Sequence, residues 1–167
     1  DLALYVSHLP LDGHQELGNA AGVAEEVGLS DRDPFGEMGP VTIGTIGEAA
    51  EPRSAAAIRE TLDGFEGQPA GEASPTRVLD FGPDEIERVA VVTGSGVDWL
   101  DEAVAAGADA LITGEGKQQV YHDAREAGVT VFLAGHYATE TFGVRALESL
   151  TADWGVETTY LSHPTGL

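Results

Sequence analysis

Three apolar runs of strand length, residues 88–93, 108–113 and 129–134, follow one another along the second half of this chain. Each closes on a glycine-marked turn, and each turn opens a segment of helical periodicity. Strands that alternate with helices in this way restrict the chain to an α/β architecture with largely parallel sheets. In such sheets ligands gather beyond the carboxyl ends of the strands, so the three turns become the first places to look for chemistry.

The rest of the chain can be read around that unit. Residues 2–7 form an apolar run of strand length. The proline- and glycine-bearing loop His8-Leu9-Pro10-Leu11-Asp12-Gly13-His14 follows, and it sets two imidazoles and a carboxylate close together. Leu17, Ala20 or Ala21, Val23 or Ala24, and Val27 then recur at helical spacing, with Gly28 as the stop. Residues 31–39 are polar and turn-rich and read as a crossing between lobes. Residues 40–47 alternate like a strand. Pro52, taken as the first position of a helix, introduces residues 53–62. Residues 64–75 read as a surface loop, 77–81 as a short edge strand, and 156–161 as a last strand. No internal repeat emerges.

Charge narrows the function classes. The chain has 29 acidic against 8 basic residues, a formal net charge of -21, and Lys117 is its one lysine. The acidity is spread along the sequence, as expected of a strongly hydrated surface suited to a salt-rich, halophilic cytoplasm, where counter-ions screen self-repulsion. Binding to nucleic acid is disfavoured, because phosphate neutralisation needs lysine and arginine clusters. With no cysteine, disulfides and thiolate metal sites are excluded. No stretch is apolar for long enough to span a bilayer and none reads as a secretory signal, so a cytoplasmic location is expected.

The turns carry the candidate chemistry. Gly94-Ser95-Gly96 follows the strand at 88–93, and its amides could cradle an anion; a tight strand-to-helix turn is the alternative, since the full dinucleotide and P-loop fingerprints are absent. Glu115 lies in Gly114-Glu115-Gly116-Lys117. His136 and Glu140, four residues apart, share one face of a helix start. That pair is compatible with ligation, and equally with a solvated first turn in which the helix dipole favours Glu140. Together with His8, Asp12 and His14, these residues supply oxygen and nitrogen donors without sulfur. Such donors suit zinc, manganese, iron or magnesium, and a carboxylate bridging two ions is a common way to build a dinuclear site.

Four segments carry a resemblance: His8-Leu9-Pro10-Leu11-Asp12-Gly13-His14-Gln15-Glu16-Leu17-Gly18-Asn19, Thr93-Gly94-Ser95-Gly96, Ile112-Thr113-Gly114-Glu115 and Gly135-His136-Tyr137-Ala138-Thr139-Glu140. In this order, over essentially the whole chain, they resemble the Nif-three-like family, whose members are often named GTP cyclohydrolase 1 type 2 homologs. The resemblance implies a two-lobed α/β fold, a toroidal homohexamer and two divalent ions per complete subunit. It places Asp12, His136 and Glu140 on family metal ligands, with Glu140 as the bridge. His8, His14 and His122 become candidates for hydrogen-bonding around the ligands, and Glu115 for orienting water or acting as a base. Residues 1–36 and 137–167 would belong to the metal-bearing lobe and 37–136 to the second lobe. The family's upstream His-His-Pro segment has no counterpart here, so the N-terminal lobe is expected to be incomplete; the short form of the family, without a central insert, is expected as well.

Two functions follow as expectations. One is a metal-dependent hydrolase acting on a nucleotide or phosphate-bearing small molecule. The other is a metal-handling protein or ring-shaped scaffold that uses the same ligands without turnover.

Overall fold

The computed structural model describes residues 2–68 and 75–165. Its elements run α1 (Leu9–Asp12), α2 (Asn19–Glu26), β1 (Leu29–Met38), β2 (Val41–Arg53), α3 (Ala55–Asp63), β3 (Arg77–Leu79), β4 (Ile86–Val91), a 3-10 turn (Gly96–Trp99), α4 (Leu100–Ala105), β5 (Ala110–Thr113), α5 (Val120–Ala127), β6 (Thr130–Leu133), α6 (His136–Thr139) and α7 (Phe142–Asp153). The six strands form one sheet in the order β1-β2-β4-β5-β6-β3. Its centre, β4-β5-β6, is parallel, as the alternating pattern requires. Both flanks are antiparallel: β1 and β2 on one side, β3 on the other. The α/β class is as expected, with parallel order confined to the strands that helices separate in sequence.

The central strands are apolar over residues 89–91, 110–112 and 131–132, because both of their faces are covered there. Val89, Val91, Ala110, Ile112 and Phe132 point to one side, where Val23, Ala24, Ile58 and Leu62 of α2 and α3 pack on them. Ala90, Leu111 and Val131 alternate to the other side and meet Leu100, Ala103, Val120 and Ala124 of α4 and α5. Each fully buried Val, Leu or Ile in these layers contributes roughly 1.5–3 kcal/mol relative to exposure. Among the described residues no helix is long and apolar enough to cross a membrane.

Four expectations are corrected. Residues 31–39 are not a loop crossing: they lie in β1, the outer arm of a long hairpin with β2. Their polarity is that of an edge strand, where exposed charges and Pro34 discourage further pairing. The hairpin turns at Gly39-Pro40, and Gly39 has the positive φ (61°) that a two-residue hairpin turn needs at its first central position. Pro52 belongs to β2, and α3 starts instead after Ser54, whose hydroxyl accepts from the amide of Ala57.

Residues 2–7 and 156–161 form no strand. A strand exists only by pairing, and these runs pair with none that is described. Leu2, Leu4 and Tyr5 are accordingly exposed, as are Val156 and Leu161. Of the expected surface loop at 64–75, residues 69–74 lie outside the described residues.

Candidate metal centre

Because β4, β5 and β6 are parallel neighbours, their carboxyl ends lie side by side, and so do the turns at 94–96, 114–116 and 135–136. Backbone bonds lace the turns together. The amides of Gly114 and Glu115 both donate to the Gly94 carbonyl at 2.9 Å, and the Gly135 amide donates to the Gly114 carbonyl at 2.8 Å. Two threonines tighten the lacing. Thr139 Oγ1 accepts from the Gly94 amide at 3.2 Å, and Thr113 Oγ1 accepts from the Gly96 amide at 2.8 Å. As folded, the glycine turn therefore gives these two amides to threonine hydroxyls rather than presenting them to an anion.

On this platform stands a row of polar side chains. The Ser95 hydroxyl donates to Glu115 Oε1. The same Glu115 oxygen lies 3.2 Å from His136 Nδ1, and His136 Nε2 lies 3.3 Å from Glu140 Oε1. The hydrogen bond from Ser95, and then that from His136, hold the Glu115 carboxyl below its ordinary pKa. Burial moves Glu140 the other way; the neighbouring Asp12 and Glu115 charges add to the rise, while His136 and His8 oppose it.

Asp12 reaches this row by another route. It ends the single turn α1 and is 8% exposed, with Oδ1 accepting from Asn19 Nδ2 at 2.7 Å. The other end of the buried Asn19 side chain, Oδ1, accepts from the Gly143 amide at 2.7 Å. Asn19 thus clamps the Asp12 loop to the first turn of α7, next to Glu140. Sequence reasoning placed no role on Asn19, and nothing in its periodicity marks it.

The remaining histidines separate. His8 Nε2 is 3.7 Å from Asp12 Oδ2, but the side chain is 75% exposed. His14 Nδ1 accepts from the amides of Glu16 and Leu17, at 3.2 and 3.1 Å, and so holds its own loop. His122 sits exposed on α5 with its ring edge-on to Tyr121, away from the cleft.

The donors are of the kind a divalent ion takes, nitrogen and carboxylate oxygen. Backbone shape permits their approach. A Cβ on residue 94 would stand 2.3 Å from Glu140 Oε1 and 3.0 Å from His136 Nε2, so only glycine leaves this space free. Among the described residues no three His, Asp or Glu side chains close on one point, so the set is open rather than a finished cage. Beside it lies a cleft of about 600 Å³, walled by Tyr137, Val144, Tyr160 and Leu161, with Glu115, His136 and Glu140 at its polar end. Tyr137 and Tyr160 meet hydroxyl to hydroxyl at 3.3 Å, and the His163 amide donates to Tyr137 at 2.7 Å. Burial pushes Tyr160 up to about 12, whereas the hydrogen bonds from Tyr160 and the His163 amide lower Tyr137.

Comparison with known proteins gives a consistent set of relatives. The profile of the family described as Duf34/NIF3 (NGG1p interacting factor 3) matches residues 1–165. A "GTP cyclohydrolase 1 type 2 homolog" of Halobacterium salinarum is 60% identical over 167 residues, covering 100% of this chain and 65% of that protein. A protein of the same name from Archaeoglobus fulgidus is 39% identical, with 100% and 64% covered. The chain thus spans just under two thirds of the length of these relatives. Among solved structures, TTHA1606 from Thermus thermophilus superposes with a TM-score of 0.82 at 36% identity, over 98% of this chain and 62% of that one. The protein ybgI, described as of unknown function, superposes with a TM-score of 0.75 at 37% identity, over 89% and 56%.

Proposed function

The chain belongs to the Duf34/NIF3 family, and from that premise we propose that the cleft beyond β4, β5 and β6 binds divalent metal ions and hydrolyses a nucleotide or other phosphate-bearing small molecule. Asp12, His136 and Glu140 would hold the ions. The observation that carries this reading is the convergence of His136 Nε2 and Glu140 Oε1 over Gly94, in space that any side chain at that position would fill.

The chemistry such ions supply when bound is Lewis acidity and a water acidified toward neutrality. The chain supplies the rest. Glu140, kept from full hydration, has more to gain from a cation than a surface carboxylate has. Asn19 and Thr139 fix the two loops that carry the ligands. Tyr137, Val144, Tyr160 and Leu161 line one side of the cleft and give a flat ligand a wall to lie on.

The test is Glu140→Gln in the purified protein, with metal content measured by mass spectrometry alongside a screen of nucleotides and phosphoesters. Loss of bound metal and of turnover together is the expected result. Retention of both would show the site to be wrong. One observation favours the second reading, a metal-handling protein without turnover. Apart from His136, the described residues lining the cleft include no basic side chain to receive a phosphate. Tight metal with no hydrolysis of any compound in the same screen would select that reading.

A further inference from the structure

Ser95, Glu115 and His136 stand on three different turns, yet they form one continuous row of polar contacts. Nothing local dictates this. Glu115 is placed by its own amide, which donates to the Gly94 carbonyl at 2.9 Å, so its backbone is tied to the turn that carries Ser95. Its Oε1 then receives the Ser95 hydroxyl on one side and faces His136 Nδ1 at 3.2 Å on the other. The opposite ring nitrogen, Nε2, faces Glu140 over Gly94.

We infer that Glu115, buttressed by Ser95, is a positioning residue. It holds the His136 ring through Nδ1–H and leaves Nε2 as the nitrogen presented to a divalent cation. The inference rests on the metal-binding reading above for its consequence, though not for its geometry. An imidazole has two competent nitrogens, and the partner of one decides which way the other points. A ligating histidine whose far N–H is taken by a carboxylate is both oriented and made a better donor. The role differs from that of a base. A base acts on substrate or water and leaves metal affinity alone, whereas a positioning carboxylate acts on the histidine and shows first in the affinity.

The experiment uses 15N-histidine-labelled protein, with Zn2+ and Mn2+ as probes in calorimetric titrations. In the metal-free wild type, His136 should show a low-field Nδ1–H resonance protected from exchange. Glu115→Ala should abolish it, and Ser95→Ala should speed its exchange. Both substitutions should weaken Zn2+ and Mn2+ binding by about 10- to 100-fold. Glu115→Gln, which keeps an oxygen able to accept from both neighbours, should stay near wild type in both readouts. Should Glu115→Ala fail to fold, Ser95→Ala on its exposed turn carries the test by itself. An unchanged Nδ1–H signal in Ser95→Ala and Glu115→Ala, or unchanged metal affinity in both, overturns the inference. A wild type that takes up neither ion sinks the metal reading instead, while the Nδ1–H signal still decides whether Glu115 holds the ring.

Discussion

Replacing Gly94 by alanine separates the backbone contribution of this residue from the space it keeps open. Gly94 has φ 62°, so any other residue there adopts a left-handed conformation costing about 1–2 kcal/mol. In a domain of this size that lowers the melting temperature by roughly 2–8 °C. The added methyl also meets Glu140 Oε1 at 2.3 Å and His136 Nε2 at 3.0 Å. The first distance is more than about 1 Å short of ordinary contact. A carboxylate end can swing away, so the fold survives. Metal–ligand distances, however, are set to within about 0.2 Å, and a displacement of that size removes the ligand.

Gly107 is the control, with φ 74° and nothing within 4 Å of where a Cβ would stand. Thermal melts should show Gly94→Ala and Gly107→Ala losing similar stability. Titration with Zn2+ or Mn2+ should show only Gly94→Ala losing affinity, by at least about tenfold. Wild-type affinity in Gly94→Ala, or an equal loss in Gly107→Ala, refutes the reasoning.

Other substitutions and conditions test neighbouring links. Burial raises the Glu140 pKa, so the stability tied to this group is present at acid pH and lost as pH rises through the raised value. Glu140→Gln should therefore melt higher than the metal-free wild type at neutral pH and show less acid dependence; an equal or lower melting point counts against the burial argument. Asn19→Ala leaves the Asp12 carboxylate and the Gly143 amide without their shared partner, at a cost of about 1–3 kcal/mol for each buried group left unsatisfied. Denaturant unfolding reads that loss directly, and a change below about 0.5 kcal/mol would remove Asn19 from the site's architecture. With a net charge of -21, the melting temperature should climb between low and molar NaCl as self-repulsion is screened. A flat profile would show that the charge is not what limits stability.

The central sheet was legible because its physics is local. Strands covered on both faces must be apolar over the covered stretch, and residues 89–92, 110–112 and 131–134 have that character with helices between them. The hairpin of β1 and β2 hid for the opposite reason. An edge strand is protected by the charges and proline that also mark loops, so residues 31–39 carried two contradictory signals. Residues 2–7 and 156–161 failed differently. Their composition suits a strand, but a strand needs a partner as well as a composition.

The site divides along the same line. Once the parallel unit is read, consecutive strands separated by helices become sheet neighbours, and their outgoing turns must meet. Ser95, Glu115 and His136 were therefore all in view, one turn each, although Gly94-Ser95-Gly96 drew attention as an anion cradle. Its use in the structure depends on what glycine lacks rather than on its amides: the missing Cβ at Gly94 makes room for Glu140 and His136. Asp12 obeys no such rule. It arrives through Asn19, whose bond to Gly143 spans 124 positions of sequence, and no periodicity predicts a contact of that range. The expected ligand set thus joins a part dictated by the strand pattern to a part held in place by one buried amide side chain. Perturbing Asn19 should loosen Asp12 while leaving the Ser95–Glu115–His136 row intact.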